Sequence, residues 1–486
     1  MEKVMYRKHQ NVIIHIMIFV ILSFIESAIL FLHIISQQIF KKENRLMKKL
    51  SLSQIAGMSC MIFAIFFGAG NMIFPPSMGQ QAGTNAPIAL LGFVLSDVGI
   101  AVAGVLAVVL AGTSMYELAS RISPRFAKIL SLTVYLCIGP LFALPRCGSV
   151  SFEIGIIPFL DGFDPKLASF LFTFAFFGIT LLLSLRKGKV VDIVGKVLTP
   201  ILLLCILTLF IGVIVSPLGD VGVPRGDYQS IPFFKGVIEG YLALDGFAGL
   251  VFAILIVHSL KAFQISEHKQ VVKYTIICTS IAAVLLIAVY TILLIIGIQT
   301  SSMELFANGG NLLTYVTNTL FGKTGNFILA LTVTLACLTT SIGLSTSFSD
   351  YLCNEYPKLS YLPTLIGVCV FSFIIANVGL NQLIVIVQPL LVTIYPIVTI
   401  LALVSLLTPY LKEHTANAMK CGMLFVLPFS FMDGMKTANI NIPFFSDLMK
   451  NMPLFSVGLG WLLPAIIGCM LGYFLHYRKS KRSLIS

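Results

Sequence analysis

The sequence predicts an all-helical (all-α) integral membrane protein with about twelve transmembrane helices. Its 486 residues are 57% hydrophobic and only 11% charged, whereas soluble proteins carry about 25% charged residues. Apolar stretches of about 20 residues, enough to cross ~30 Å of hydrocarbon, recur along the whole chain. They are continuous rather than alternating, which favours helices over an outer-membrane barrel.

Twelve spans account for the apolar stretches that follow residue 50. We expect them at about 54–78, 86–111, 126–148, 168–185, 190–216, 233–258, 272–298, 326–350, 361–379, 381–408, 418–434 and 455–476. Basic residues are concentrated in every second loop, as in Arg186, Lys187 and Lys189, and are fewer in the loops between. Because cytoplasmic loops are enriched in Lys and Arg, both ends of this array are predicted to be cytoplasmic.

The first 46 residues form a separate N-terminal extension that contains an apolar segment at about 12–35. Crossing the membrane would place Lys3, Arg7 and Lys8 outside. Met47 begins the stretch "MKKLSLSQIAGMSC", which has the form of a short basic cytoplasmic end before the first span. We expect residues 1–46 to be a misannotated start or a dispensable extension, with an extra membrane helix as the alternative.

Composition also argues against several functions. The net charge of +12 and the pI of 9.2 follow from the basic loops, so we expect no nucleic-acid partner. The ten cysteines and seven histidines are dispersed without a CxxC or bis-histidine arrangement, which indicates packing residues and no cofactor. Motifs of hydrolases, kinases and metalloproteases are absent from the sequence, so we expect no enzymatic activity.

The stretch "FFGAGNMIFPP", Phe66–Pro76, interrupts the first span. Glycines, an asparagine and two prolines are poor residues for a stable helix. A broken helix leaves backbone N–H and C=O groups unpaired, which is tolerated only in protein or beside a cavity or ligand. For an isolated glycine, close packing is the better explanation, and the prolines could simply mark the outer end of the span. Taken together, these residues favour a functional break.

The sixth span contains "LDGFAGLVF", which also places glycines in mid-membrane. Since spans one and six run in opposite directions, they are predicted to belong to two inverted five-span repeats, 47–216 and 217–408, followed by two further spans and a basic tail at 409–486. Paired interruptions of this kind indicate a transporter binding site. The half-helix N-terminus suits a carboxylate, and the freed carbonyls suit Na⁺ or an ammonium group.

Four stretches resemble the bacterial branched-chain amino acid:cation symporters (system II or BrnQ-type carriers), within the LeuT-like superfamily. These are "FAIFFGAGNMIFPPSMGQQAG", "YLCIGPLFALPRCGSVSFEIG", "GYLALDGFAGLVFAILIV" and "LACLTTSIGL". The resemblance implies import of leucine, isoleucine and valine by cation symport in the bacterial cytoplasmic (inner) membrane, with a LeuT-like fold of ten core spans and two more. It covers the chain from about Met47 to the tail.

The resemblance also implies a sodium site between spans one and eight, with sodium as the coupling ion. Matching the family pattern assigns the carbonyls of Ala64 and Phe67 and, from span eight, the Ala336 carbonyl and the hydroxyls of Thr339 and Thr340. Positions 336, 339 and 340 share one helical face. One alternative for the two threonines is hydrogen bonding to the preceding turn of their own helix. Another is a shifted register in which Thr340 and Ser341 supply the hydroxyls.

The candidate substrate-binding residues lie at the two breaks. They are Gly68, Ala69, Gly70, Asn71, Asp245, Gly246 and Phe247. Asn71 could offer its amide oxygen to an ion or substrate, or cap the second half-helix. A carboxylate within a span is costly and usually functional, so Asp245 could attract the cation, carry a proton or brace the break. Asp97, Glu117 and Glu239 are placed near span ends or interfaces and receive no role.

Two rival functions remain open at this stage. A proton-coupled or differently specific amino acid carrier would share the architecture. A channel or a membrane subunit of a complex is the alternative from another class, although the rings of polar residues typical of a pore are not evident in the sequence.

Overall fold

The computed structural model describes residues 49–111, 114–160, 162–185, 191–440, 454–455 and 457–483. Within these residues the chain is helical and contains no strand, in agreement with the predicted fold class. The predicted N-terminal extension, residues 1–46, lies outside the described residues. The prediction made for it therefore stays a prediction.

Helices follow one another with short connections along the described chain. They are α1 (Leu52–Phe66), α2 (Ala69–Ala82), α3 (Ala86–Val94), α4 (Ile100–Ala111), α5 (Met115–Ser120), α6 (Pro124–Ile138), α7 (Ala143–Gly155), α8 (Pro165–Ser184), α9 (Thr199–Val215), α10 (Pro232–Ala243), α11 (Asp245–Ala262), α12 (His268–Ile298), α13 (Gly309–Glu355), α14 (Tyr361–Ala376), α15 (Leu380–Leu406), α16 (Thr415–Thr437) and α17 (Leu462–Ser483). Two π-helical segments, Leu95–Gly99 and Val191–Leu198, precede α4 and α9.

Helix length and composition agree with a membrane protein. Among the described residues, eight helical stretches are long and apolar enough to cross a membrane, and α1, α14 and most of α17 are shorter apolar helices. Helix α1 has 15 residues, which at 1.5 Å per residue is too short to cross ~30 Å. It is the first half of a broken span. The total of twelve spans stays a prediction.

Three predicted boundaries need correction. The first span extends beyond its predicted end at residue 78, because α2 continues through Pro75 and Pro76 to Ala82, so the prolines do not mark its outer end. The third span is interrupted between α6 and α7, where Gly139 caps α6 and Pro140 follows, a combination that ends helices. The eighth span belongs to a 47-residue helix, α13, that begins at Gly309 and is kinked at Gly322, where φ is +58°.

The chain divides into two compact units, each built from separate segments. The first unit comprises the described part of Met1–Val98 with Cys147–Ala243 and Ile256–Gly343. The second comprises Gly99–Arg146, Leu244–Leu255 and the described part of Leu344–Ser486. The predicted repeats are a different kind of division, based on sequence order, and these units do not test them.

Glycines let helices pack at close range within the first unit. A Cβ added at Gly79 of α2 would lie 2.3 Å from the Leu294 carbonyl oxygen of α12, and one at Gly297 of α12 would lie 2.1 Å from the Pro76 carbonyl oxygen. Each helix therefore presents a glycine to the backbone of the other. Small residues at helix contacts are typical of membrane proteins, because they allow backbones to approach.

Glycines also lie at close helix contacts within the second unit. A Cβ at Gly249 of α11 would lie 2.2 Å from the Ala101 carbonyl oxygen of α4. On α16, a Cβ at Gly434 would lie 2.8 Å from the Pro389 carbonyl oxygen of α15. The glycines of "LDGFAGLVF" thus include a packing residue, Gly249, in addition to residues at the break.

Candidate functional site

The first span is broken at Phe67 and Gly68, as the sequence predicts. Helix α1 ends at Phe66, and the Phe67 N–H still donates to the Phe63 carbonyl over 2.8 Å. Gly68 is extended, with φ −120° and ψ −157°, and helix α2 starts at Ala69. The break therefore places a helix C-terminus and a helix N-terminus next to each other inside one span.

The two prolines extend the interruption into α2. Proline has no N–H, so Pro75 and Pro76 cannot donate the usual helical hydrogen bonds to the carbonyls of Asn71 and Met72. These carbonyls lie in the first turn and a half after the break, and both residues are buried. The turn that carries the candidate substrate residues Ala69, Gly70 and Asn71 therefore includes backbone carbonyls that receive no helical hydrogen bond from the prolines.

Four of the five predicted sodium ligands come together beside this break. The Thr339 hydroxyl donates to the Ala64 carbonyl and to the Ala336 carbonyl, each over 2.9 Å. The Thr340 hydroxyl lies 3.3 Å from the Ala64 carbonyl. The fifth predicted ligand, the Phe67 carbonyl, belongs to the residue at the break itself. We refer to the oxygens of Ala64, Ala336, Thr339 and Thr340 as the oxygen cluster.

The oxygen cluster is buried and carries no formal charge. Ala64, Ala336 and Thr339 are 0% exposed, and Thr340 is 8% exposed. Each hydroxyl has one proton and two lone pairs, so it can donate to a carbonyl or turn its proton away and accept a cation. The alternative considered for Thr339, a bond to its own helix, is present, but the same hydroxyl also reaches α1, 275 residues earlier in the chain.

Gly68 lies against the oxygen cluster. A Cβ at this position would lie 2.8 Å from Thr340 Oγ1 and 3.0 Å from Thr340 Cγ2. Real Cβ atoms do not approach another atom so closely. The glycine at the break is therefore required sterically, because α13 occupies the space that a side chain would need.

The sixth span is broken at Leu244, between α10 and α11. Leu244 has φ +83°, a conformation that is an outlier for a branched non-glycine residue. Its carbonyl accepts the N–H groups of Phe247 and Ala248, each over 3.1 Å. Asp245 is the first residue of α11 and is 3% exposed, a position where a carboxylate interacts favourably with the helix dipole.

The candidates that follow Asp245 pack on α15. A Cβ at Gly246 would lie 2.3 Å from the Tyr395 hydroxyl oxygen. The Phe247 ring meets the Tyr395 ring edge to face, with centroids 5.1 Å apart. Both rings are 0% exposed. The first break belongs to the first unit and Leu244 belongs to the second.

Asn71 is not the N-cap residue of α2. Asn71 is the third residue of that helix, and the capping residue, Gly68, makes no side-chain cap. Instead the Asn71 amide Nδ2 donates to the Tyr290 hydroxyl of α12, and Tyr290 donates to Asp97 Oδ2 over 2.7 Å. Asp97 is 0% exposed and lies near the middle of the predicted second span, 86–111, although no role was predicted for it. Its central position in the span was the sequence signal that could have identified it.

Residues 51–479 match the family described as branched-chain amino acid transport protein. The chain belongs to this family. It is 41% identical over 439 residues to the branched-chain amino acid permease BrnQ of Bacillus subtilis, covering 90% of this chain and 100% of that relative. It is 39% identical over 415 residues to the branched-chain amino acid transport system 2 carrier protein of Pseudomonas aeruginosa, covering 85% of this chain and 93% of the carrier. These relatives are named permeases and carriers, which are not enzymes, and this confirms the expectation that the protein has no enzymatic activity.

The chain is similar in fold to a solved transporter structure. A Na⁺-coupled sialic acid symporter in a substrate-bound outward-open state has 14% sequence identity and a TM-score of 0.50, covering 95% of this chain and 98% of that chain. The expected LeuT-like fold is confirmed at this level.

Proposed function

We propose that this chain is a secondary active transporter that imports leucine, isoleucine and valine together with sodium across the bacterial cytoplasmic membrane. The oxygen cluster is the observation that carries the sodium part of the proposal. Its neutral carbonyl and hydroxyl oxygens are hard ligands without a fixed charge, which suits reversible binding of a monovalent cation. The amino acid part is supported by family membership and by the names of the relatives.

The substrate fits the two ends of the break. The N-terminus of α2 carries the positive end of a helix dipole, which favours the carboxylate of an amino acid. The C-terminal carbonyls of α1 carry the negative end, which favours a cation. Gly68 and Gly70 carry no side chain that would cover the backbone at the break, Ala69 carries only a methyl group, and Asp245, Gly246 and Phe247 are the corresponding residues at the second break. Alternating access around these broken helices moves the bound substrate inward.

Uptake of labelled leucine into proteoliposomes tests this function. We expect accumulation when an inward sodium gradient is imposed and competition by unlabelled isoleucine and valine. A proton gradient without sodium is the matched control. Uptake that follows the proton gradient and ignores sodium would overturn sodium coupling while leaving an amino acid carrier. Passive flux that never exceeds equilibrium would instead support a channel.

A further inference from the structure

A chain of three buried polar side chains links the first break to the second and seventh predicted spans. Asn71 Nδ2 donates to the Tyr290 hydroxyl, and that hydroxyl donates to Asp97 Oδ2 over 2.7 Å. Their exposed fractions are 1%, 0% and 0%, respectively. All three residues lie in the same compact unit. We call this chain the Asp97 relay.

The surroundings hold the relay in place. Asp97 lies on the π-helical segment Leu95–Gly99, and π-helical turns inside α-helices are frequent at functional sites. One turn earlier, the Phe93 ring meets the Tyr290 ring edge to face with centroids 5.2 Å apart. On α10, a Cβ at Gly240 would lie 2.0 Å from Ser96 Oγ and 3.2 Å from the Asp97 nitrogen. Helix α10 can approach the segment only because position 240 is glycine.

Few other titratable groups face the relay from the neighbouring elements. Helices α1 and α2 contain no acidic or basic residue. Between residues 86 and 111, Asp97 is the only acidic or basic residue. Helix α10 contributes Lys235 and Glu239, which pair with each other over 3.1 Å, and the phenol of Tyr241. On α12, His268, Lys269 and Lys273 lie at the start of the helix, more than ~20 Å along its axis from Tyr290.

The hydrogen-bond directions depend on the protonation of Asp97. A tyrosine hydroxyl has a single proton, and here Tyr290 donates it to Asp97. Tyr290 must therefore accept from Asn71, which fixes Nδ2 toward Tyr290. Because an asparagine amide has only one acceptor, Oδ1 is then the atom that Asn71 can turn toward a cationic group. A hydrogen bond to an ionised carboxylate is stronger than a neutral one, so the ionised form of Asp97 holds this arrangement.

We propose that Asp97 is a positioning residue that, through Tyr290, orients the Asn71 amide to accept a cationic group at the break. This inference rests on the proposed transport function. The cationic group is the coupling sodium ion or the ammonium group of the amino acid. When a proton from water binds Asp97, Asp97 donates to Tyr290, Tyr290 donates to Asn71, and the amide rotates to present Nδ2. The two donor hydrogens of Nδ2 then repel a cation.

The test compares wild type with Asp97→Asn and Tyr290→Phe in leucine uptake by proteoliposomes between pH 5.5 and 8.5. In wild type we expect the half-saturating concentration of the cationic group to rise as the pH falls. Both variants are expected to raise this half-saturating concentration about tenfold at pH 8, because each loses one charge-assisted hydrogen bond. Both should also remove its dependence on pH. Glu239→Gln is the matched control, since it neutralises a carboxylate on a packed helix and should keep the wild-type pH profile.

The two sources of the cationic group give different results. A rise in the half-saturating sodium concentration at saturating leucine identifies the ion, and a rise in the KM for leucine at saturating sodium identifies the ammonium group. If wild type proves independent of sodium, the sodium part of the proposed function fails, and the leucine KM still tests the relay. Wild-type half-saturation and pH profiles in the variants would overturn the relay. If Asp97→Asn does not reach the membrane, Tyr290→Phe decides alone, because it removes only one hydroxyl.

Discussion

The Thr339 hydroxyl lies 2.9 Å from the Ala64 carbonyl, so a side chain of α13 bonds to the last full turn of α1, where the first span breaks. The same hydroxyl bonds to its own helix at Ala336. One oxygen thus connects two helices at the point where two backbone carbonyls converge.

Thr339→Ala should weaken the response to sodium. Losing a hydroxyl that binds a cation removes roughly 1.5–3 kcal/mol, so the sodium concentration for half-maximal leucine uptake should rise about tenfold or more. Thr339→Ser keeps the hydroxyl and is expected to stay close to wild type. Sodium titrations of uptake at matched protein abundance measure both. An unchanged sodium response in the alanine variant would leave Thr339 as a packing residue only.

Gly68→Ala should impair transport through Thr340. The added Cβ would lie 2.8 Å from Thr340 Oγ1, so either the Thr340 side chain must rotate or α2 and α13 must shift. In a Thr340→Ala background the side chain that obstructs the new Cβ is smaller, so Gly68→Ala should reduce uptake less than it does in the wild-type background. A double-mutant cycle should then give a coupling energy of about 0.5–3 kcal/mol. Gly178→Ala is the matched control, because nothing lies within 4 Å of a Cβ there. Independent, additive effects would refute the steric explanation.

Gly246→Ala should have a corresponding effect at the second break. Its Cβ would meet the Tyr395 hydroxyl oxygen at 2.3 Å and ring carbon Cζ at 2.8 Å. Tyr395→Phe removes the closer atom but not the ring, so it should relieve the variant only partly. Uptake rates of the four combinations, normalised to protein in the membrane, check this. Full rescue by Tyr395→Phe would show that only the hydroxyl matters, and no rescue would show that the ring dominates.

Much of this fold was predictable because membrane burial imposes strong local rules. The break at "FFGAGNMIFPP" was predictable, since two glycines, an asparagine and two prolines together interrupt a helix, and unpaired backbone groups are costly in a membrane unless protein, a cavity or a ligand satisfies them. The second break was located only to a segment. The structure places it at Leu244, a residue without any helix-breaking propensity, whereas Gly246 and Gly249 pack against Tyr395 and Ala101. Tertiary contacts, rather than glycine, define that position.

Side-chain partners were harder to predict than helices. The threonines of "LACLTTSIGL" were assigned as sodium ligands through a family resemblance. The structure places their hydroxyls 2.9 and 3.3 Å from the Ala64 carbonyl, and the sodium role itself stays a prediction. The contact of Asn71 with Tyr290, separated by 219 residues, has no local sequence signal. Asp97 could have been singled out by its place in mid-span, but its partner could not, because a tyrosine on a membrane helix is common and its neighbours depend on packing.

Gly297→Ala should reduce stability rather than alter sodium dependence. The Cβ would lie 2.1 Å from the Pro76 carbonyl oxygen and 2.8 Å from its carbon, and backbone atoms cannot rotate away as a side chain can. Overpacking of this kind typically costs about 1–3 kcal/mol, so we expect less protein in the membrane and earlier aggregation on heating in detergent. Gly367→Ala on α14 is the control, since no atom lies within 4 Å of its Cβ. The fraction of Gly297→Ala that remains folded should respond to sodium as wild type does, because α12 contributes no atom to the oxygen cluster. A normal melting profile for Gly297→Ala would show that α2 and α12 can separate without loss, contrary to the close contact between them.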